Sequence, residues 1–318
     1  MQESPTRIRM NIGYDGAGFT GWARQPGLRT VQGELESALA TVFAKAGDAP
    51  PPLITVAGRT DVGVHATGQV AHVDLAPEQS RLLERPHRDA HGPTGVTALV
   101  RRLNGIAGDD VRVHSAEVAP TGFDARFAAL WRRYEYRIAD AGALHDPRRR
   151  GHTLWHPRPL DVDAMNAAAR ELLGLHDFAA YCKPREGATT IRTLQEYAWE
   201  RDADGVLVAR VRADAFCHSM VRALVGAAIA VGSGRMTPAR PGELLAASVR
   251  GSEFAVVPAL GLTLVEVGYP PDDELASRVE LTRARRPALD PQRTERATDD
   301  RATSGGAPTP IDRIELID

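Results

Sequence analysis

Cysteine, lysine and long apolar runs are scarce in this sequence, and each scarcity excludes something. Cys182 and Cys217 are the only cysteines among 318 residues, too few for a disulfide framework, so a reducing cytoplasm is the expected compartment. Both are read as inert thiols. The longest apolar run, Ala223 to Val231, falls well short of the roughly 20 residues that span a bilayer. Met1 to Arg7 carry no apolar stretch of the kind a signal peptide needs, so the expectation is a soluble protein with no membrane partner. Lysine is confined to Lys45 and Lys183, leaving arginine as almost all of the 39 basic residues. Genome composition explains that skew as well as function does. A net charge of −2 identifies no partner.

The composition does permit a substantial core, since 43% of residues are apolar and the charged share of 25% is ordinary. The length suits one large domain or two smaller ones. Period-2 patterns predict strands at 7–14, 53–57, 69–75, 111–118 and 132–139, the last with Tyr134, Tyr136 and Ile138 facing one way and Arg133, Glu135 and Arg137 the other. Thr30 caps a helix that runs to about Lys45, and Pro50-Pro51-Pro52 breaks the chain after it. Residues 77–95 read as a polar surface excursion. Asp161 caps a second helix ended by Gly174, and 191–200 with 206–214 form a hairpin through Asp204-Gly205. A helix over 215–231, a short one over 242–247 and a strand over 262–268 complete the folded part. Strands in hairpins with helices on one side imply an α+β class with mixed, largely antiparallel sheet. The expected domains are residues 1–145, residues 146–270 and a disordered tail over 271–318, whose 48 residues hold 19 charges and no aromatic side chain.

Two features bear on chemistry. Residues 126–150 hold seven arginines against Glu135, Asp140 and Asp146, a balance that suits a phosphate backbone and a solvated face equally. In Ala57-Gly58-Arg59-Thr60-Asp61-Val62-Gly63-Val64-His65-Ala66-Thr67-Gly68, three glycines surround one arginine and one aspartate. Such a loop turns tightly or approaches something closely, and Arg59 is placed to orient and ionise Asp61. A structural Asp–Arg pair in a turn has the same spacing.

This segment resembles the signature loop of the tRNA pseudouridine synthase A family, in which the aspartate is catalytic. Tyr14-Asp15-Gly16, Phe19-Thr20-Gly21-Trp22, Val31-Gln32 and Leu35-Glu36 resemble the family's opening. Ala125-Arg126-Phe127 with Arg132-Arg133-Tyr134-Glu135-Tyr136 resembles its next block, whose first tyrosine contacts the target base. Asp177-Phe178, then Ala215-Phe216-Cys217-His218-Ser219-Met220-Val221-Arg222 with Val225-Gly226, and finally Gly261-Leu262-Thr263-Leu264 through Tyr269-Pro270, follow in family order. Residues 77–95 look like an insertion, residues 103–108 are looser than the family's block, Ala23 replaces a commoner polar residue, and the tail has no counterpart.

The resemblance implies the pseudouridine synthase fold, two related subdomains with the active-site cleft between them. It implies isomerisation of uridine to pseudouridine at positions 38 to 40 in the anticodon stem-loop of tRNA, by a homodimer that shares one tRNA between subunits. Asp61 is then nucleophile or base, Tyr134 stacks on the flipped base, and Arg126, Arg132, Arg133 and Arg222 are candidate phosphate contacts. The isomerisation requires no cofactor and no metal. The alternative is a non-catalytic RNA-binding protein of the same fold, against which intact Asp61, Arg59 and Tyr134 speak. A carboxylate-nucleophile hydrolase is disfavoured because no further acidic residue lies near Asp61 in the chain.

Other signals are set aside. Gly16-Ala17-Gly18-Phe19-Thr20-Gly21 spells a dinucleotide fingerprint, but no helix is expected until Thr30. His65 reads as a loop histidine bonded to backbone. His218 and Arg222 lie four apart on the expected helix, and a metal site would want another ligand there, with Cys217 turned about 100° away.

Overall fold

Alternation in β1 (Thr6–Tyr14) buries Ile8, Met10, Ile12 and Tyr14 on one face, and the strand lies inside a single sheet, with a neighbour on each side. The computed structural model describes residues 5–84, 94–183, 189–247 and 253–283. After β1 come α1 (Val31–Val42), β2 (Ile54–Val56), β3 (His65–Leu75), α2 (Pro77–Glu84), α3 (Gly95–Ile106), β4 (Val111–Val118) and β5 (Trp131–Ala139). The second half adds β6 (Leu154–Trp155), α4 (Val162–Arg170), β7 (Gly174–Asp177), β8 (Ile191–Arg201) and β9 (Leu207–Ala213). It ends with α5 (Met220–Gly232), α6 (Arg240–Ala247), β10 (Leu262–Gly268) and α7 (Leu275–Arg283).

Local signals acted where the sequence placed them. Thr30 accepts from Gly33 N and Asp161 from Ala164 N, capping α1 and α4. Gly205, at φ +76°, turns the β8–β9 hairpin. Helices α2 and α3 were not foreseen. The charge density of 77–95 masks the first, and only Ala98, Leu99 and Leu103 are buried in the second, too few for a clear period. Residues 85–93 of that excursion lie outside the described ones.

The strands form one sheet in the order β4-β1-β3-β10-β5-β9-β8-β7, with β2 on β3 and β6 on β5. Among the described strands only β3–β10 and β5–β6 run parallel. The class is therefore α+β with a largely antiparallel sheet. The sheet does not break at residue 145, because β5 pairs with β9 and β10, both from the second half of the chain. One device covers the edge strand β4 and the stretch of β8 that the short β7 leaves uncovered. Asn104 of α3 gives to and takes from the backbone of Val113, and Asn166 of α4 does the same to Trp199. Each amide thus replaces a missing neighbouring strand.

The β3–β10 seam joins the two halves through Thr263 opposite His65 and Leu264 opposite Ala66. It needs a glycine, since a Cβ on Gly68 would sit 2.0 Å from Val265 O.

Ordered chain also continues past Pro270, contrary to the expected tail boundary. Leu275 is 1% exposed, and Arg278 donates to Ala129 O, so α7 packs on the body of the protein. Charge density concealed this helix, because one leucine and two half-apolar side chains anchor it. Residues 284–318 of the expected tail lie outside the described ones.

Gly68→Ala is expected to pry the seam open, lowering stability in urea unfolding by at least about 2 kcal/mol with the slope unchanged. A midpoint equal to wild type would show that the seam tolerates a side chain there.

Candidate active site

Residues 58–64, between β2 and β3, form the loop that carries Asp61. Four contacts hold it. Gln69 donates to Gly58 O and to Tyr14 Oη, Tyr14 Oη pairs with Thr60 Oγ1 at 2.8 Å, and Trp22 N–H donates to Thr60 O. Burial pushes the Tyr14 phenol up to about 12, although its hydrogen bonds to Thr60 and Gln69 oppose the rise, so it stays a neutral strut. Gly63, at φ +76°, lets the chain double back so that Val64 N–H reaches Asp61 O. The loop is fixed at both shoulders while the Asp61 side chain remains 38% exposed at its tip.

Across from it lies the segment 215–219. The sequence reading began the helix at Ala215, but α5 begins at Met220, and Ser219 takes φ +62°, the only positive value of a non-glycine among the described residues. That left-handed residue stores strain of about 1–2 kcal/mol beside the cleft. The segment is unwound, so the helical geometry assumed for Cys217, His218 and Arg222 does not apply. His218 Nε2 instead stands 3.7 Å from Asp61 Oδ2, an ion pair whenever the ring is protonated. Cys217 is joined to Cys182, with Cα atoms 5.8 Å apart, so the two cysteines are not the separate thiols expected from sequence. The pairing arises because the turn after β7 packs beside the unwound segment, where Lys183 N–H also donates to His218 O.

Tyr134 and Arg132 form the floor. Tyr134 is buried, packs edge-on to Phe216 with ring centres 5.1 Å apart, and faces the cleft. Burial raises its phenol well above the usual tyrosine value, with Tyr14 and Asp61 adding to the rise, so it is neutral. Arg132 is in the cleft but does not point outward. It donates to Asp214 O, Ala57 O and Arg126 O, and burial pulls its pKa below the ordinary arginine value.

The other candidates separate. Arg59 is exposed at the cleft, and no ion pair or hydrogen bond of its guanidinium occurs among the described residues, so it does not hold Asp61. Arg126 and Arg222 line the cleft, Arg222 with its Nε donating to Val257 O. Arg133 is not in the cleft. One residue along β5 from Tyr134, it projects to the other sheet face and pairs with Glu266 and Glu196. His65 is structural as read, taking Gly16 N–H at Nδ1 and bonding Leu260 O through Nε2.

The cleft encloses about 1050 Å³ and is open, at the upper end of small-ligand pockets. Seven cations line it, namely Arg59, Arg126, Arg132, Lys183, Arg192, Arg222 and Arg278, against the carboxylates of Asp61 and Asp214. An excess of five positive charges in a protein of net −2 marks a site for a polyanion. Arg192, Lys183 and Arg278 were missed in the sequence because their neighbourhoods show no motif. Among the described residues, no group of three or more His, Cys, Asp or Glu lies together as a metal site would require. No described helix is long and apolar enough to cross a membrane.

Comparison with known proteins finds a family and close relatives. A family model described as tRNA pseudouridine synthase matches residues 168–270. The chain is 61% identical over 291 residues to the tRNA pseudouridine synthase A of Leifsonia xyli subsp. xyli, covering 90% of this chain and 99% of that protein. It is 55% identical over 287 residues to the protein of that name from Streptomyces avermitilis, covering 90% and 96%. The Mycobacterium leprae protein of the same name is 49% identical over 277 residues, covering 87% and 94%.

The position of Arg132 generates a prediction. Arg132→Met keeps the stem and leaves three carbonyls without their donor, so unfolding free energy is expected to fall by about 3 kcal/mol. A variant of wild-type stability with weakened polyanion binding would instead make Arg132 a ligand contact.

Proposed function

Since the chain belongs to the tRNA pseudouridine synthase A family, we propose that it converts uridine to pseudouridine at positions 38, 39 and 40 in the anticodon stem-loop of tRNA. The observation that carries this reading is the Asp61 carboxylate, held on a braced loop opposite a buried tyrosine, in a cleft with an excess of positive charge. An open cleft suits a substrate offered at three successive nucleotides better than a closed base-reading pocket does.

The reaction breaks the C1′–N1 bond, turns the uracil and joins C5 to C1′. The C5 proton then leaves and N1 gains one, so no electron or group is lost overall. The target nucleotide has to leave its stack, at a cost of a few kcal/mol, and Tyr134 receives the base against its ring. Asp61 acts on C1′ as nucleophile or removes a ribose proton, and either role requires the ionised carboxylate. His218 Nε2 stands 3.7 Å from the Asp61 carboxylate, across the cleft. Arg59, free of Asp61, is assigned with Arg126 and Arg222 to the RNA. Arg133, on the far sheet face, is not assigned to the target nucleotide. A homodimer sharing one tRNA between subunits belongs to the same reading, and light scattering of the complex measures it.

Asp61→Asn keeps the side-chain shape and removes its charge. Expected is tRNA affinity within a few-fold of wild type and no detectable tritium release from C5-labelled uridine in tRNA. Mapping pseudouridine in the product locates the sites. Turnover by this variant near the wild-type rate would end the assignment of Asp61. Affinity is also expected to fall steeply with salt, by about 0.7–0.9 log units per log unit of salt for each phosphate neutralised. A binding constant flat between low and physiological salt rules out the cationic cleft as the RNA site.

A further inference from the structure

The proposed isomerisation moves protons as well as a glycosidic bond: C5 of the uracil loses one and N1 gains one. C5 becomes bonded to C1′, beside which Asp61 acts in either of its roles. The group that takes the C5 proton therefore has to be a close neighbour of the Asp61 carboxylate. A carboxylate works at roughly 3–3.5 Å from its carbon, and a base takes a proton over roughly 2.6–3.2 Å.

Among the described residues lining the cleft, few side chains suit that task. Arginine and lysine side chains ordinarily keep their protons at neutral pH. Cys217 is joined to Cys182 and offers no thiol. Asp214 is 3% exposed, and its Oδ1 accepts from Thr193 N–H and Ala215 N–H, which commits it to the backbone at the end of β9. Tyr134 keeps its proton, because burial raises its phenol well above the usual tyrosine value. Asp61 is already engaged at the ribose.

His218 is left. Its Nε2 lies 3.7 Å from Asp61 Oδ2, close enough to share a reacting nucleotide and too far for a hydrogen bond, so the nitrogen is not committed to the carboxylate. The side chain is 42% exposed, and its backbone is fixed. Lys183 N–H donates to His218 O, and Met220 N–H donates to Cys217 O, the residue tied to Cys182. Ser219, at φ +62°, follows immediately. Strain of that kind persists only where the surrounding fold imposes it, and here it accompanies an imidazole aimed at the catalytic loop. As a residue type, imidazole exchanges a proton near neutral pH, as a general base must.

We infer that His218 is the base that removes the C5 proton, through Nε2, once C5 is bonded to C1′. The electron pair of the C5–H bond moves into the C5–C6 bond, the N1–C6 double bond opens onto N1, and N1 takes a proton from water. The imidazolium then returns its proton to water at the exposed side of the cleft. The C5 hydrogen thus ends in solvent, and no atom or electron is lost overall. This step rests on the proposed reaction and adds to it a second catalytic residue, on the wall opposite Asp61.

The test is single turnover by the full chain, with protein in excess over unmodified tRNA transcript made with uridine or with uridine deuterated at C5. The variants are His218→Gln and His218→Ala, with Tyr134→Phe for comparison. Expected for His218→Gln is a wild-type thermal midpoint, a Kd for the transcript within a few-fold of wild type, and pseudouridine formation slower by about 10²-fold or more. Losing the base makes C5–H cleavage the slow step, so the ratio of the two rates, hydrogen over deuterium, rises clearly above its wild-type value. Added imidazole is expected to restore part of the rate of His218→Ala, and more as its concentration rises. A histidine that only positions Asp61 would produce neither effect.

A wild-type rate in both His218 variants overturns the inference. So does a slow variant whose isotope ratio stays at the wild-type value and which imidazole does not rescue, whether or not its thermal midpoint falls. A ratio that rises in Tyr134→Phe and not in His218→Gln assigns the proton to the phenol and overturns it as well. If the wild-type protein binds the transcript but forms no pseudouridine, the proposed function fails and this step fails with it. Wild-type turnover with unaffected His218 variants overturns this inference alone.

Discussion

The Arg132 guanidinium donates at once to Ala57 O, Arg126 O and Asp214 O, and the shape of the cleft depends on that group. Ala57 leads into the Asp61 loop, Arg126 precedes the ring that α7 leans on, and Asp214 closes β9. Three separate stretches of backbone meet at one side chain. Only arginine has a planar fork of donors able to serve carbonyls in several directions, and a lysine there would leave at least one acceptor unmet. Desolvating the cation is costly, and the three carbonyl dipoles offset that cost only if all three are in place. The interaction is therefore cooperative: it holds the two walls at a set separation or fails as a unit.

With the walls held, electrostatics governs the rest. Asp61 is one of two carboxylates among seven cations, so the cleft as a whole attracts a polyanion. Its nearest ionic neighbour comes from the opposite wall, where an unwound stretch before α5 and a left-handed Ser219 turn His218 toward it. A regular helix over those residues would carry His218 in a different direction. The backbone strain at Ser219 is thus coupled to the surroundings of the carboxylate, while the bracing of the Asp61 loop by Tyr14, Gln69 and Trp22 keeps the other partner still.

Much of this was legible in the chain. The alternation in β5 correctly put Tyr134 on the buried face, and the same alternation, applied strictly, excludes Arg133 from that face. Treating both as substrate contacts overlooked the consequence of period 2. The Asp61 loop was legible because its glycines are of two demanding kinds, a turn at Gly63 and a close approach of the β10 backbone at Gly68. Arg59 misled for the opposite reason: two residues' separation in a loop says nothing about direction, and its side chain points to solvent. Helix α7 was hidden by its charges, since one buried leucine and an arginine bonded to Ala129 O anchor it, and neither produces an apolar period.

The sequence by itself determined the longer strands, though not β6 and β7, the helices capped by Thr30 and Asp161, the α+β class and the identity of the loop carrying Asp61. Those features depend on side-chain alternation, caps and turn residues, whose interactions lie within a few positions of one another. Tertiary structure alone decided which charged groups meet. Arg132 finds Asp214 O from 82 residues away, and His218 reaches Asp61 only because β10 inserts between β3 and β5 and draws the two halves together. Charge interactions act through space with little regard for chain order, so the same arginine codon reads alike whether its side chain will bind backbone, a carboxylate or RNA.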